Sequence, residues 1–144
     1  MPWPRTDQRV VTFVCNSNRG KSQMAAGLMR RLAVTGVQVL SAGVDAARDA
    51  GVNGESAESL TAVGASLAGE HPKQLTPELA AASDVMVFVG GAQPGPELEG
   101  RLPADVRRWS VDEPSERGLE GAERMALIRD EIAAKVGQLA AELA

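Results

Sequence analysis

The chain has 144 residues, 44% of them hydrophobic and 24% charged, a balance that describes one globular domain with a sizeable core. A net charge of −4 argues against nucleic acid as the main partner, because phosphate backbones are bound by basic faces. No apolar run approaches the roughly 18 residues of a membrane span, and Met1 to Gln8 lack the apolar stretch of a signal peptide, so a cytoplasmic protein with no membrane partner is expected.

Arg9 to Val14 (RVVTFV) is a short, β-branched apolar run that suits a buried strand. It stops at Cys15, and polar residues and a glycine follow through Ser22. A helix is then expected to about Thr35, because Met24, Leu28 and Leu32 recur every four residues, with Gly36 placed to end it. Val37 to Leu40 reads as a second strand, closed by Ser41-Ala42-Gly43. Ser56 to Gly64 reads as a short helix with Leu60 and Val63 inward. Thr76 is placed to cap a brief helix whose first residue is Pro77. Asp84 to Val89 (DVMVFV) is a third buried strand. Gly90 to Pro103, with four glycines and three prolines, is expected to be loop. Val106 to Trp109 suits a fourth strand. From about Leu119 onward, Met125, Ile128, Ile132, Val136, Leu139 and Leu143 fall three and four apart and predict a long amphipathic helix. Strands alternating with helices indicate an α/β domain with a parallel sheet, whose ligands bind beyond the carboxyl ends of the strands.

Cys15 stands at such an end. It is the chain's one cysteine, so it has no internal disulfide partner, and the thiol itself needs explaining. With a single histidine, His71, no His and Cys cluster exists to hold zinc, and no metal site is expected. The segment Cys15-Asn16-Ser17-Asn18-Arg19-Gly20-Lys21-Ser22 joins a strand to a helix. Loops of this kind turn successive backbone N–H groups inward, and the helix N-terminus adds partial positive charge, which makes an anion cradle. A cysteine there is favoured as the nucleophilic thiolate, with Arg19 and Lys21 adding charge. Asn18 and Ser22 can hydrogen-bond the loop or the sulfur. The plain alternative is a small buried residue ending a strand. Gly20-Lys21-Ser22 also matches the tail of the nucleotide-binding pattern G-x-x-x-x-G-K-[ST]. Cys15 occupies the position of its first glycine, however, and Gly90-Gly91 follow DVMVFV where an acidic magnesium ligand belongs.

The pattern C-x-x-N-x-x-[RK]-S after a strand, continued by Gln23-Met24-Ala25, resembles the low-molecular-weight protein tyrosine phosphatase family. The likeness is nearest to the single-cysteine, mycothiol-dependent arsenate reductases (arsenate–mycothiol transferases) of actinobacteria. Ser41-Ala42-Gly43, Lys73 to Leu79 (KQLTPEL) and the acidic-then-proline stretch Trp109 to Pro114 (WSVDEP) carry it across most of the chain. It implies a four-stranded parallel sheet flanked by helices, in one domain over residues 9–144 preceded by an arm of residues 1–8. Two positions depart from the phosphatase pattern. Lys21 stands where the family usually has arginine, whose planar fork grips two oxyanion oxygens as lysine cannot. Glu113 stands where it usually has aspartate.

The resemblance implies arsenate as substrate, Cys15 as nucleophile, and Asn16, Ser17, Asn18, Arg19, Gly20, Lys21 and Ser22 as the oxyanion loop. Glu113 would be the general acid, with Asp112 as its backup. No bound cofactor is implied. The second thiol must come from outside, and by resemblance it is mycothiol as co-substrate, with a mycoredoxin completing reduction to arsenite. A low-molecular-weight tyrosine phosphatase and a non-catalytic oxyanion-binding protein remain the alternatives. Arg19 either recruits an acidic co-substrate or faces solvent. His71 is expected to be exposed structure, Trp109 to fill a gap between the sheet and the last helix, and Trp3 to lie in the terminal arm.

Overall fold

The computed structural model describes residues 8–144. All but Gln8 of the expected arm, Trp3 included, lies outside the described residues. Among the described residues, four strands, β1 (Arg9–Cys15), β2 (Val37–Gly43), β3 (Val85–Val89) and β4 (Asp105–Trp109), and four α-helices, α1 (Lys21–Leu32), α2 (Gly54–Thr61), α3 (Pro77–Ala82) and α4 (Gly121–Leu143), follow in the order β1-α1-β2-α2-α3-β3-β4-α4. The strands form one parallel sheet in the order β2-β1-β3-β4, the expected class.

The central strands β1 and β3 are buried along nearly their whole length, which is why both read as unbroken apolar runs rather than alternating ones. Their two faces feed separate cores. Val11, Phe13, Val85 and Val87 meet α1, α2 and α4 on one side. Val14, Met86 and Phe88 meet Leu75, Ala80 and Leu98 on the other. The expected stripe of α4 is confirmed, with Met125, Ile128, Ile132, Val136 and Leu139 all buried. Burying side chains of this size contributes about 1.5–3 kcal/mol each.

Helix α1 ends sooner than its spacing predicts. Ala33 adopts a left-handed conformation (φ 49°) and its N–H returns to the Arg30 carbonyl, so the helix stops at Leu32, which is 45% exposed, and Gly36 (φ 76°) serves the turn into β2 instead. The β-branched Val34 and Thr35 that follow are weak helix formers. Ser41 to Gly43 continue β2 rather than closing it. Asn53 caps α2 and Thr76 caps α3 through their side-chain oxygens. The stretch from Gly90 to Pro103 is loop apart from a short 3-10 turn at Pro96–Leu98.

Because the strand order reverses between β1 and β3, the connections leaving their carboxyl ends diverge and open a crevice. The loop from Cys15 to Ser22 lies on one side of it and Gly90 on the other.

Candidate active site

A cavity of about 340 Å³ occupies this crevice. Cys15, Asn16, Ser17, Arg19, Gly20 and Lys21 line its floor, Val89 to Ala92 one wall, and Glu113, Arg124, Met125 and Ile128 another.

The loop is held from outside by its carbonyls. The carbonyl oxygens of Cys15, Asn16, Ser17 and Arg19 accept from the N–H groups of Val44, Asp45, Ala47 and Asn53 at 2.7–3.0 Å. That of Asn18 accepts from the Gln23 side chain, and that of Gly20 from the Met24 N–H. With six successive carbonyls engaged around the rim, the concave side is left to N–H groups, as a cradle requires: that of Asn18 meets Cys15 Sγ at 3.2 Å, while that of Arg19 meets Ser17 Oγ at 3.3 Å. The N-terminus of α1 has no side-chain cap, which leaves its first N–H groups free for an anion.

Gly43 lets this loop close. A Cβ on Gly43 would stand 2.6 Å from the Asn16 carbonyl oxygen and 3.0 Å from the Asn18 nitrogen, so no larger residue fits beneath the cradle. Its N–H and carbonyl meanwhile pair with Lys73 and Leu75. The Ser41-Ala42-Gly43 and Lys73 to Leu79 segments thus buttress the loop from one side.

Cys15 Sγ receives two hydrogen bonds, from the Asn18 N–H at 3.2 Å and through the Ser22 hydroxyl at 2.9 Å. The direction of the second follows from its neighbours. The Lys73 N–H can only donate, so the Asn18 side-chain atom it meets at 2.8 Å is the oxygen. The Asn18 amide nitrogen then donates to Ser22 Oγ at 2.7 Å, which leaves the Ser22 hydrogen for the sulfur. Asn18 is fully buried with φ 58°, a left-handed turn that asparagine tolerates better than most residues. Gln23, also fully buried, ties Asn18 to the His71 carbonyl.

The structure separates the other expected residues clearly. Lys21 reaches toward the end of β3, its ammonium about 4.0 Å from where a Cβ on Gly90 would sit. Arg19 lines the cavity and is anchored by its Nε to the Gly51 carbonyl at 2.8 Å. Glu113 lines the cavity, whereas Asp112 is exposed outside it and paired with Arg117 at 2.7 Å. Of the two acids, only Glu113 faces the thiol's cavity. His71 is exposed, and Trp109 stacks at a tilt on Phe13, 5.6 Å between centroids, packed on the core as expected.

Two arginines escaped the sequence reading. Arg108 donates to the carbonyls of Gly90 (3.1 Å) and Ala92 (2.7 Å) and lies over the Phe88 ring, pinning the opposite wall. Arg124, on the first turn of α4, grips both oxygens of Glu113 at 2.7 Å each. That grip, helped by the Ser115 N–H, pulls the Glu113 carboxyl down to about 2. Nothing in the local pattern marks Arg124, because a charged residue early in an amphipathic helix reads as solvated surface.

A family model described as low molecular weight phosphotyrosine protein phosphatase matches residues 10–96, more than half of the chain, which includes the cradle but not Glu113 or Arg124. The "Arsenate reductase 2" of Staphylococcus saprophyticus is 26% identical over 134 residues, covering 92% of this chain and 96% of its own. The "Probable low molecular weight protein-tyrosine-phosphatase EpsP" of Ralstonia solanacearum is 28% identical over 115 residues, covering 74% and 78%. Among solved structures, an arsenate reductase in the phosphate binding state superposes with a TM-score of 0.78 at 23% identity, over 95% of this chain and all of that one, a likeness of fold. The chain belongs to the low molecular weight phosphotyrosine protein phosphatase family, and arsenate reductases are among its relatives.

Proposed function

We propose that this protein is an arsenate reductase that transfers arsenate to an external low-molecular-weight thiol, mycothiol, in arsenic detoxification. The observation that carries the reading is Cys15 itself. It is the only cysteine of the chain, and it sits on the floor of an anion cradle with two donors aimed at its sulfur.

In the proposed cycle, the Cys15 thiolate attacks arsenic, an S–As bond forms, and one As–O bond breaks. The departing hydroxide takes a proton from Glu113 and leaves as water. Lys21 and the loop N–H groups stabilise the charge on the remaining oxygens. Arsenic is still pentavalent at this point. An external thiolate then displaces it from Cys15, which restores the enzyme and releases a thiol–arsenate adduct. A mycoredoxin thiolate attacks the sulfur of that adduct, the S–As electron pair passes to arsenic, and arsenite leaves with a mixed disulfide. An enzyme with its own resolving cysteines needs no borrowed thiol, and this chain has none. Lysine in place of the family's arginine weighs against efficient phosphotyrosine hydrolysis, since it offers a point charge and not a fork.

The test is a coupled assay with arsenate, mycothiol, mycoredoxin and its reductase, followed by NADPH consumption, with para-nitrophenyl phosphate tested in parallel. Turnover confined to the arsenate assay, and lost in Cys15→Ser, is expected. Vigorous phosphate-ester hydrolysis without arsenate dependence would mean a phosphatase. Oxyanion binding with neither activity would mean a non-catalytic binding protein.

A further inference from the structure

Glu113 is asked to give up a proton, yet its carboxylate is gripped by Arg124 through two 2.7 Å hydrogen bonds and is held ionised far below neutrality. A carboxylate in that grip is a poor acid. It becomes a competent one only on leaving the guanidinium. The cavity over Cys15 suits one class of ligand able to cause that. A tetrahedral oxyanion presents two oxygens to a guanidinium fork as a carboxylate does.

The cradle is short of such a fork. Lys21 supplies a single ammonium, and Arg19 is anchored through its Nε to Gly51. Arg124 and Glu113 both line the cavity over Cys15, and their side chains are 26% and 28% exposed, so neither is locked in the core. We propose that Arg124 is a further oxyanion ligand, and that an oxyanion bound over Cys15 takes the fork that Glu113 occupies here and frees Glu113 to act as the acid.

This inference rests on reading the cavity as an oxyanion site. The Glu113 carboxylate holds the place on the guanidinium that such an anion would take. On displacement it sits beside an anion, without its guanidinium, and takes up one proton from solvent. It passes that proton to the departing hydroxide, and its carboxylate returns to Arg124 when the product leaves. The charged groups that face Arg124 are Glu113, Glu120 at the start of α4 and Glu55 of α2, with Lys21 and Arg19 across the cavity. Of the three acids, Glu113 alone makes hydrogen bonds to the guanidinium.

Sulfate is the probe, since it remains a dianion throughout the pH range used, and Cys15→Ser is the background, so that the thiol contributes no proton. Calorimetry near pH 6 in buffers of differing ionisation enthalpy reads both affinity and protons taken up. Arg124→Lys, which keeps the charge and loses the fork, and Arg124→Ala are expected to weaken sulfate by about tenfold or more, the loss of charge-assisted hydrogen bonds. Binding to the Cys15→Ser protein is expected to take up close to one proton. Glu113→Gln is expected to abolish that uptake while binding sulfate at least as tightly. Sulfate affinity within twofold of the background in Arg124→Lys, or proton uptake that persists in Glu113→Gln, would overturn the proposal. If Arg124→Ala does not fold, those two variants decide. A background protein that fails to bind sulfate overturns the cradle as well. Absent arsenate turnover with these binding results intact removes only the arsenate reading.

Discussion

Ser22 sits where two separate demands meet. Its oxygen accepts from the Asn18 amide at 2.7 Å, and its hydrogen is thereby turned to Cys15 Sγ at 2.9 Å. The relay begins at the Lys73 backbone N–H and passes through a buried asparagine, so the direction of the last hydrogen bond is set three groups away from the sulfur. Ser22→Ala removes a donor to the sulfur that the proposed cycle uses as its thiolate nucleophile, and a hydrogen bond to a charged group is worth roughly 1.5–3 kcal/mol. The expected outcome is a fall in single-turnover rate and in the rate of Cys15 alkylation by iodoacetamide of roughly ten- to a hundredfold. It also leaves the Asn18 amide unpartnered, at a cost of about 1–3 kcal/mol in stability. Unchanged alkylation with a lowered melting temperature would make Ser22 a structural residue only.

At the scale of elements, the end of β2 matters as much as the loop it supports. Gly43 pairs with Lys73 and Leu75 and leaves no room for a Cβ under Asn16. Gly43→Ala must therefore push the cradle's backbone rather than a flexible side chain. A destabilisation of about 1–3 kcal/mol, typical of overpacking, is expected in denaturant titration, together with weakened protection of Cys15 by phosphate. Retained protection would show that the cradle does not lean on β2. The sequence makes the strands, the caps at Thr76 and the stripe of α4 legible because each depends on spacing along a few residues. Ser41-Ala42-Gly43 is visible as a motif, but its purpose is not, since the contact it relieves lies 27 residues away in sequence, between Gly43 and Asn16. Arg108 and Arg124 stay hidden for the same reason. One pins a loop 16 residues back and the other grips an acid 11 residues back on the same wall of the cavity, so neither partner falls within the local pattern. The early end of α1 is hidden differently, because a left-handed alanine is not what its local preference predicts.

Over the whole molecule, α4 is fastened at both ends by arginine–carboxylate contacts that also carry its pH dependence. Arg124 near its start holds Glu113, and Arg107 of β4 joins Glu142 near its end while chelating Asp105. Hydrogen bonds from these arginines pull the Glu113 carboxyl down to about 2 and lower that of Asp105. A carboxylate with a folded pKa below its unfolded value adds stability that is complete above the unfolded value, about 4.3 for glutamate. For Glu113 that contribution is lost as pH falls from about 4.3 toward about 2. The melting temperature should therefore be level in this respect above pH 5 and fall steeply below it. In Glu113→Gln the amide cannot titrate, so the curve should start lower at neutral pH and slope less between pH 5 and 2.5, converging with the parent at the acid end. Parallel curves for the two proteins across that window would show that the Glu113–Arg124 pair does not couple the Pro114–Arg117 turn to α4 in solution, and that the fork is already open for a ligand.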